Sequence, residues 1–142
     1  MATAVSPRLH FAAELILELV TRKLDIEKIG AHIAETEARI DFVWDQNISV
    51  LFEDLLTEYN QIIQRDEHIQ KGFTNVEHQR RFWKIDGFAE VPCGGTHVKS
   101  TAEVGFATLK RVNIGSGKER IEIKLVESLT GKGSCSKNQC SF

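Results

Sequence analysis

Phe106-Ala-Thr-Leu-Lys-Arg-Val-Asn-Ile114, Gly115-Ser-Gly117 and Glu119-Arg-Ile-Glu-Ile-Lys-Leu-Val126 make up the stretch that decides the fold. Ile121, Ile123 and Leu125 alternate with Glu122 and Lys124, the two-residue period of a half-buried strand. Gly-Ser-Gly supplies the turn, so 106–126 is predicted as an antiparallel hairpin. Upstream, Ala31-His-Ile-Ala34 and Ala38-Arg-Ile-Asp-Phe42 flank Glu35-Thr-Glu37 and predict a second hairpin. Elsewhere the period lengthens. Ser6-Pro7 reads as an N-cap followed by proline at the first helical position, and Leu9, Ala12, Ala13, Ile16, Leu19 and Val20 recur at helical spacing, giving a helix over 7–22. Asn47 or Ser49 caps a second helix with the face Leu51, Phe52, Leu55, Tyr59, Ile62 and Ile63, ending near Arg65. A short strand at 68–73, a third helix from Asn75 to about Trp83 and a strand at 88–91 complete the pass. Helices interspersed with antiparallel hairpins predict an α+β domain of two layers, helices on an antiparallel sheet. The domain is expected over 1–129, with 130–142 as a flexible polar tail.

A chain of 142 residues, 42% hydrophobic and 27% charged, buries roughly two-thirds of its unfolded surface without staples. That composition argues against disorder and against a disulfide-rich mini-protein. No apolar run approaches the ~20 residues of a membrane span. The first seven residues are too short and uncharged for a secretory signal, so a cytoplasmic protein with no membrane partner is expected. Net charge is −2, but residues 93–142 hold eight Lys/Arg against four Glu, leaving −6 on residues 1–92. The basic third admits local contact with a phosphate backbone through Lys99, Lys110, Arg111, Lys118 and Arg120; a solvated strand face explains the same charges. Cys93, Cys135 and Cys140 cannot all pair within one chain, which favours reduced thiols or a metal ligand.

Pro92-Cys-Gly-Gly-Thr-His97 carries the most chemistry. Cys93 and His97 offer a thiolate and an imidazole, both good zinc ligands, and the glycines between them permit a tight turn. In the first helix His10 and Glu14 stand four apart and project from one face. A histidine and a carboxylate so placed can reach one metal ion; a simple surface pair is the plainer reading. Together His10, Glu14, Cys93 and His97 form one plausible four-ligand set.

Cys93-Gly-Gly-Thr-His97, followed by Ser100-Thr-Ala-Glu-Val-Gly105, resembles the signature of the alanyl-tRNA synthetase editing domain. That module also occurs in free-standing AlaX-type proteins, with a relative in threonyl-tRNA synthetase. Arg8-Leu-His-Phe-Ala-Ala-Glu-Leu15 is similar to the family's metal-binding helix. Gly30 to Phe42 is similar to its first hairpin, and Lys118-Glu-Arg-Ile-Glu122 to the segment that closes the domain. The likeness runs in order over roughly residues 8–127.

The resemblance implies a zinc-dependent aminoacyl-tRNA deacylase that hydrolyses the ester between a wrong amino acid and the 3′ adenosine of tRNA, serine or glycine on alanine tRNA. It maps the ligands to His10, Cys93 and His97. The family's second helix position is usually histidine and here is Glu14, which is either a fourth ligand or a general base. Phe11, Ala12 and Ala13 stand where alanine-type editing domains often carry a hydroxyl residue, which leaves the amino acid open. Lacking the glycine-rich barrel of longer relatives, the chain looks like the short class. Thr96, with the amides of Gly94 and Gly95, is a candidate donor to the substrate carbonyl; stabilisation of its own loop is the alternative for Thr96. Competing functions are a non-catalytic tRNA-binding zinc module, and removal of serine from threonine tRNA.

Overall fold

The computed structural model describes residues 7–75, 80–92 and 98–126. The chain runs α1 (Pro7–Lys23), β1 (Glu27–Ile33), β2 (Ala38–Val43), a 3₁₀ turn (Ile48–Leu51), α2 (Phe52–Arg65), β3 (Gln70–Asn75), β4 (Arg80–Ile85), β5 (Ala89–Pro92), a second 3₁₀ turn (Thr101–Glu103), β6 (Ala107–Gly115) and β7 (Lys118–Leu125). All strand pairs are antiparallel. One sheet has the order β1-β2-β7-β6 and the other β3-β4-β5. The expected α+β class holds, as do both hairpins.

Alternation in the sequence becomes two faces of the larger sheet. Ala38, Ile40 and Phe42 of β2 and Ile121 and Ile123 of β7 are buried on the inner face, against Leu9, Phe11, Ala12, Leu15, Ile16, Leu19 and Val20 of α1. On the outer face the register sets His32 opposite Arg39 and Asp41 opposite Arg120. His32 is exposed there, on the side of the sheet away from α1. Asn47 caps the first 3₁₀ turn, its side chain accepting from the Ser49 amide. α2 follows with Leu55, Tyr59, Ile62 and Ile63 buried.

The expected third helix over 75–83 is not formed: Arg80–Ile85 is strand β4, paired on both sides. Strand geometry sends Trp83 into the core, where its ring meets Phe11 at 4.6 Å between centroids. It turns the neighbouring Phe82 to the other face, over Gly72. A helix would have set these two adjacent aromatics only about 100° apart around one axis. Pairing with β3 and β5, together with the strand preference of aromatic residues, overrides the cap signal at Asn75.

The segment after residue 97 is held by α2. Val98 is buried, the Ile69 amide donates to the Lys99 carbonyl, and buried Thr101 donates from Oγ1 to the Ile62 carbonyl at 2.7 Å. Thr101 Oγ1 also accepts from the Glu67 amide, and Tyr59 donates to the Gly105 carbonyl at 2.8 Å. Among the described residues no helix is long and apolar enough to cross a membrane. The expected tail, 130–142, lies outside the described residues, with Cys135 and Cys140.

Candidate functional site

α1 buries its apolar stripe and leaves one polar ridge at four-residue spacing: His10, Glu14, Glu18 and Arg22. His10 Nε2 lies 3.5 Å from Glu14 Oε2, with the two side chains 21% and 23% exposed. One turn on, Arg22 Nε donates to Glu18 Oε2 at 3.2 Å. The Arg22 guanidinium then leaves the helix: Nη2 donates to the Phe88 carbonyl, and its carbon stands 4.4 Å from the centre of the Phe88 ring. Arg22 and Lys23 also lie in the last helical turn, where the exposed carbonyls favour a cation.

Two contacts fix the direction of β5. Phe88, just before it, sits at Arg22, whereas Val91 pairs with Trp83, whose ring packs on Phe11. β5 therefore runs back along α1 towards the helix N-terminus. Four extended residues from Phe88 to Pro92 advance about 13 Å, and eight helical residues from Arg22 to Glu14 recede about 12 Å. The strand thus heads towards the end of α1 that carries His10 and Glu14, and the next residue in the chain is Cys93.

Cys93, Gly94, Gly95, Thr96 and His97 themselves lie outside the described residues, so the four-ligand set is visible only in its helical half. Among the described residues no group of three or more His, Cys, Asp or Glu side chains is placed to hold a metal ion. The His10–Glu14 separation is that of a simple i,i+4 side-chain pair and is also one that two donors on a single ion can adopt. Two donors on a tetrahedral ion with bonds of about 2.1 Å stand about 3.4 Å apart, close to the 3.5 Å between His10 Nε2 and Glu14 Oε2.

The five candidate cations do not share a surface. Lys99 is exposed in the segment held by α2. Lys110 and Lys118 are exposed on β6 and at the start of β7. Arg120 donates from Nε and Nη2 to the Asp41 carboxylate, at 2.7 and 3.1 Å. Arg111 lies on the inner face and grips Glu119 at 2.7 and 2.8 Å. Glu119 is 2% exposed and also accepts from the Ile48 amide and from Asn113. The Arg111 hydrogen bonds, helped by Ile48 and Asn113 against the cost of burial, hold its carboxyl down at about 2.

Sequence reasoning passed over Arg22, although it continues the His10–Glu14 spacing by two further turns. It also passed over Trp83 Nε1, a buried donor without a hydrogen-bond partner among the described residues. No local signal announces either, since the Arg22–Phe88 contact spans 66 residues and the Trp83–Phe11 contact joins a strand to the distant first helix.

Residues 81–122 match the family model described as the threonyl and alanyl tRNA synthetase second additional domain. The chain is 29% identical over 122 residues to the alanyl-tRNA editing protein AlaX-M of Pyrococcus horikoshii, covering 83% of this chain and 55% of that protein. Over most of its own length the chain is thus similar in sequence to alanyl-tRNA editing proteins. It is also 34% identical over 113 residues to AlaX-L of the same organism, covering 68% and 28% of the two chains. Against the alanine–tRNA ligase of Methanopyrus kandleri it is 30% identical over 146 residues, covering 85% and 16%. The chain spans about half the length of the AlaX-M relatives it matches.

Proposed function

We propose that this chain is a zinc-dependent aminoacyl-tRNA deacylase that removes serine or glycine from mischarged alanine tRNA. The observation that carries the reading is the His10–Glu14 pair at tetrahedral-edge separation, with β5 running back along α1 towards it before Cys93. Kinship with alanyl-tRNA editing proteins supports the substrate class. His10, Cys93 and His97 would hold the metal, with Glu14 beside them as a fourth, exchangeable donor. When bound, zinc supplies a Lewis acid that stabilises negative charge at the reacting oxygen atoms.

The rest of the chemistry falls to the chain. An aminoacyl ester is already activated, so hydrolysis needs a positioned water and donors aimed at the developing oxyanion. Once released from the ion, the Glu14 carboxylate accepts a proton from the attacking water as the water oxygen bonds to the ester carbonyl carbon. The carbon–oxygen bond to the ribose then breaks, and the same proton passes to the departing ribose oxygen. Thr96 and the amides of Gly94 and Gly95 donate to the carbonyl oxygen. Lys99, two residues beyond His97 and exposed, meets a backbone phosphate. Lys110 and Lys118 are the other exposed candidates, while Arg111 and Arg120 are engaged with carboxylates.

The test is chelation. Protein stripped of metal is expected to lose hydrolysis of serine-charged alanine tRNA and regain it with stoichiometric zinc. Full activity in metal-free protein would overturn the reading. Tight, salt-sensitive tRNA binding without hydrolysis would favour a non-catalytic module, and hydrolysis confined to serine-charged threonine tRNA would reassign the substrate.

A further inference from the structure

We propose that Lys71 and Lys99 together bind backbone phosphates of the single-stranded 3′ end of tRNA, on the side of the small sheet that faces α1. The inference rests on the tRNA reading above and adds Lys71, a residue that the charge excess of residues 93–142 does not point to. Alternation along β4 sends Trp83 and Ile85 inward, where both are buried. Lys71 stands directly opposite Trp83 in the β3–β4 register, so it shares that inward face. β3 is an edge strand of its sheet, and Lys71 is exposed there. The Trp83 ring packs on Phe11, the residue after His10. Lys71 is therefore one strand spacing, about 4.8 Å, from the residue that meets the His10 turn of α1.

Backbone pairing brings Lys99 alongside. His68 and Ser100 form an antiparallel bridge, and the Ile69 amide donates to the Lys99 carbonyl at 2.9 Å. Lys99 is thus opposite Ile69, two residues before Lys71. One strand spacing across and two residues along put the two Cα atoms about 8 Å apart. Lysine stems are flexible enough to carry both ammonium groups to neighbouring phosphates of an extended strand. Lys71 and Lys99 are exposed, and among the described residues neither is held in an ion pair. The carboxylates close by in the chain are engaged: Glu67 accepts from Arg65 at 2.8 Å, and Asp66 accepts from the Ala102 amide at 3.2 Å. Two uncompensated cations beside the helix turn of His10 suit a polyanion whose terminal ester is the bond to be cut.

The experiment measures binding of uncharged alanine tRNA to the full chain as salt is varied, with intact tRNA and with tRNA trimmed of its single-stranded 3′ end. Lys71→Gln removes the charge at an exposed position, so the variant should unfold at the parent midpoint. Each phosphate neutralised on a single strand contributes about 0.7 to the slope of log affinity against log salt. Lys71→Gln should lower the slope by that amount and weaken binding about eightfold at about 50 mM salt, shrinking to about threefold at about 200 mM. Lys99→Gln should behave alike, and Lys71→Arg should keep the parent slope. On trimmed tRNA, parent and Lys71→Gln should bind equally.

Unchanged slope and affinity in Lys71→Gln would overturn the proposal. Equal losses on intact and trimmed tRNA would also overturn it, because they place Lys71 on the duplex stem. Hydrolysis separates this result from the deacylase reading. With serine-charged alanine tRNA, Lys71→Gln should lower kcat/KM, whereas 3′-O-seryl-adenosine, which has no phosphate, should be cleaved at the parent rate. A parent that cleaves neither substrate defeats the deacylase reading, while the slope change on intact tRNA alone still upholds the lysine pair.

Discussion

Replacing Cys93 by Ala is expected to reduce hydrolysis of serine-charged alanine tRNA by on the order of 10³-fold while leaving the fold intact. The magnitude is that of losing roughly 4 kcal/mol of transition-state charge stabilisation when a metal is displaced or lost. Retention of the fold is expected because, among the described residues, α1, α2, both sheets and the Val98–Val104 segment already share one buried cluster. The change should therefore appear as loss of bound zinc and of kcat at nearly constant unfolding midpoint. Collapse of the fold on the same substitution would make the zinc structural. Unchanged metal content and activity would remove Cys93 from the site altogether.

Replacing Glu119 by Ala is expected to destabilise the protein by about 2 kcal/mol, the cost of leaving buried donors without their acceptor, since Arg111 itself is partly exposed and can turn to water. Four donors lose their acceptor at once: two from Arg111, the Ile48 amide and Asn113. Ile48 opens the 3₁₀ turn that leads into α2, so the loss also loosens the join between α2 and the large sheet. The pH dependence has a definite sign. The Glu119 carboxyl titrates at about 2 in the folded protein against 4.5 ordinarily. The folded state therefore binds its proton later than the unfolded state. The stabilisation is fully present above about pH 4.5 and is lost as pH falls towards 2. Urea unfolding of parent and variant should show the gap at pH 7 shrinking at pH 3; a gap independent of pH would show that Glu119 acts through packing rather than charge.

Much of this was legible in the sequence, and the failures share one cause. α1 was readable because one face repeats every three to four residues and Pro7 marks its start. β6 and β7 were readable because alternation and a glycine turn lie within one stretch. β4 was misread because its alternation is hidden: Arg80, Arg81 and Lys84 surround Phe82 and Trp83, and only pairing with β3 and β5 decides which aromatic is buried. His10 and Glu14 were legible because four residues is a helical turn. The Arg22–Phe88 clamp spans 66 residues and the Arg120–Asp41 pair 79, distances over which spacing carries no information. Charge alone made Arg111 and Arg120 look like phosphate contacts; strand register gave each a carboxylate partner.

The most direct measurement is single-turnover release of amino acid from alanine tRNA charged in turn with serine, glycine and alanine, with the zinc-loaded protein in excess. Serine or glycine should be released rapidly and alanine little or not at all, and a chelator should abolish the release. Equal release of all three, or release of none by protein that holds its zinc, would contradict it.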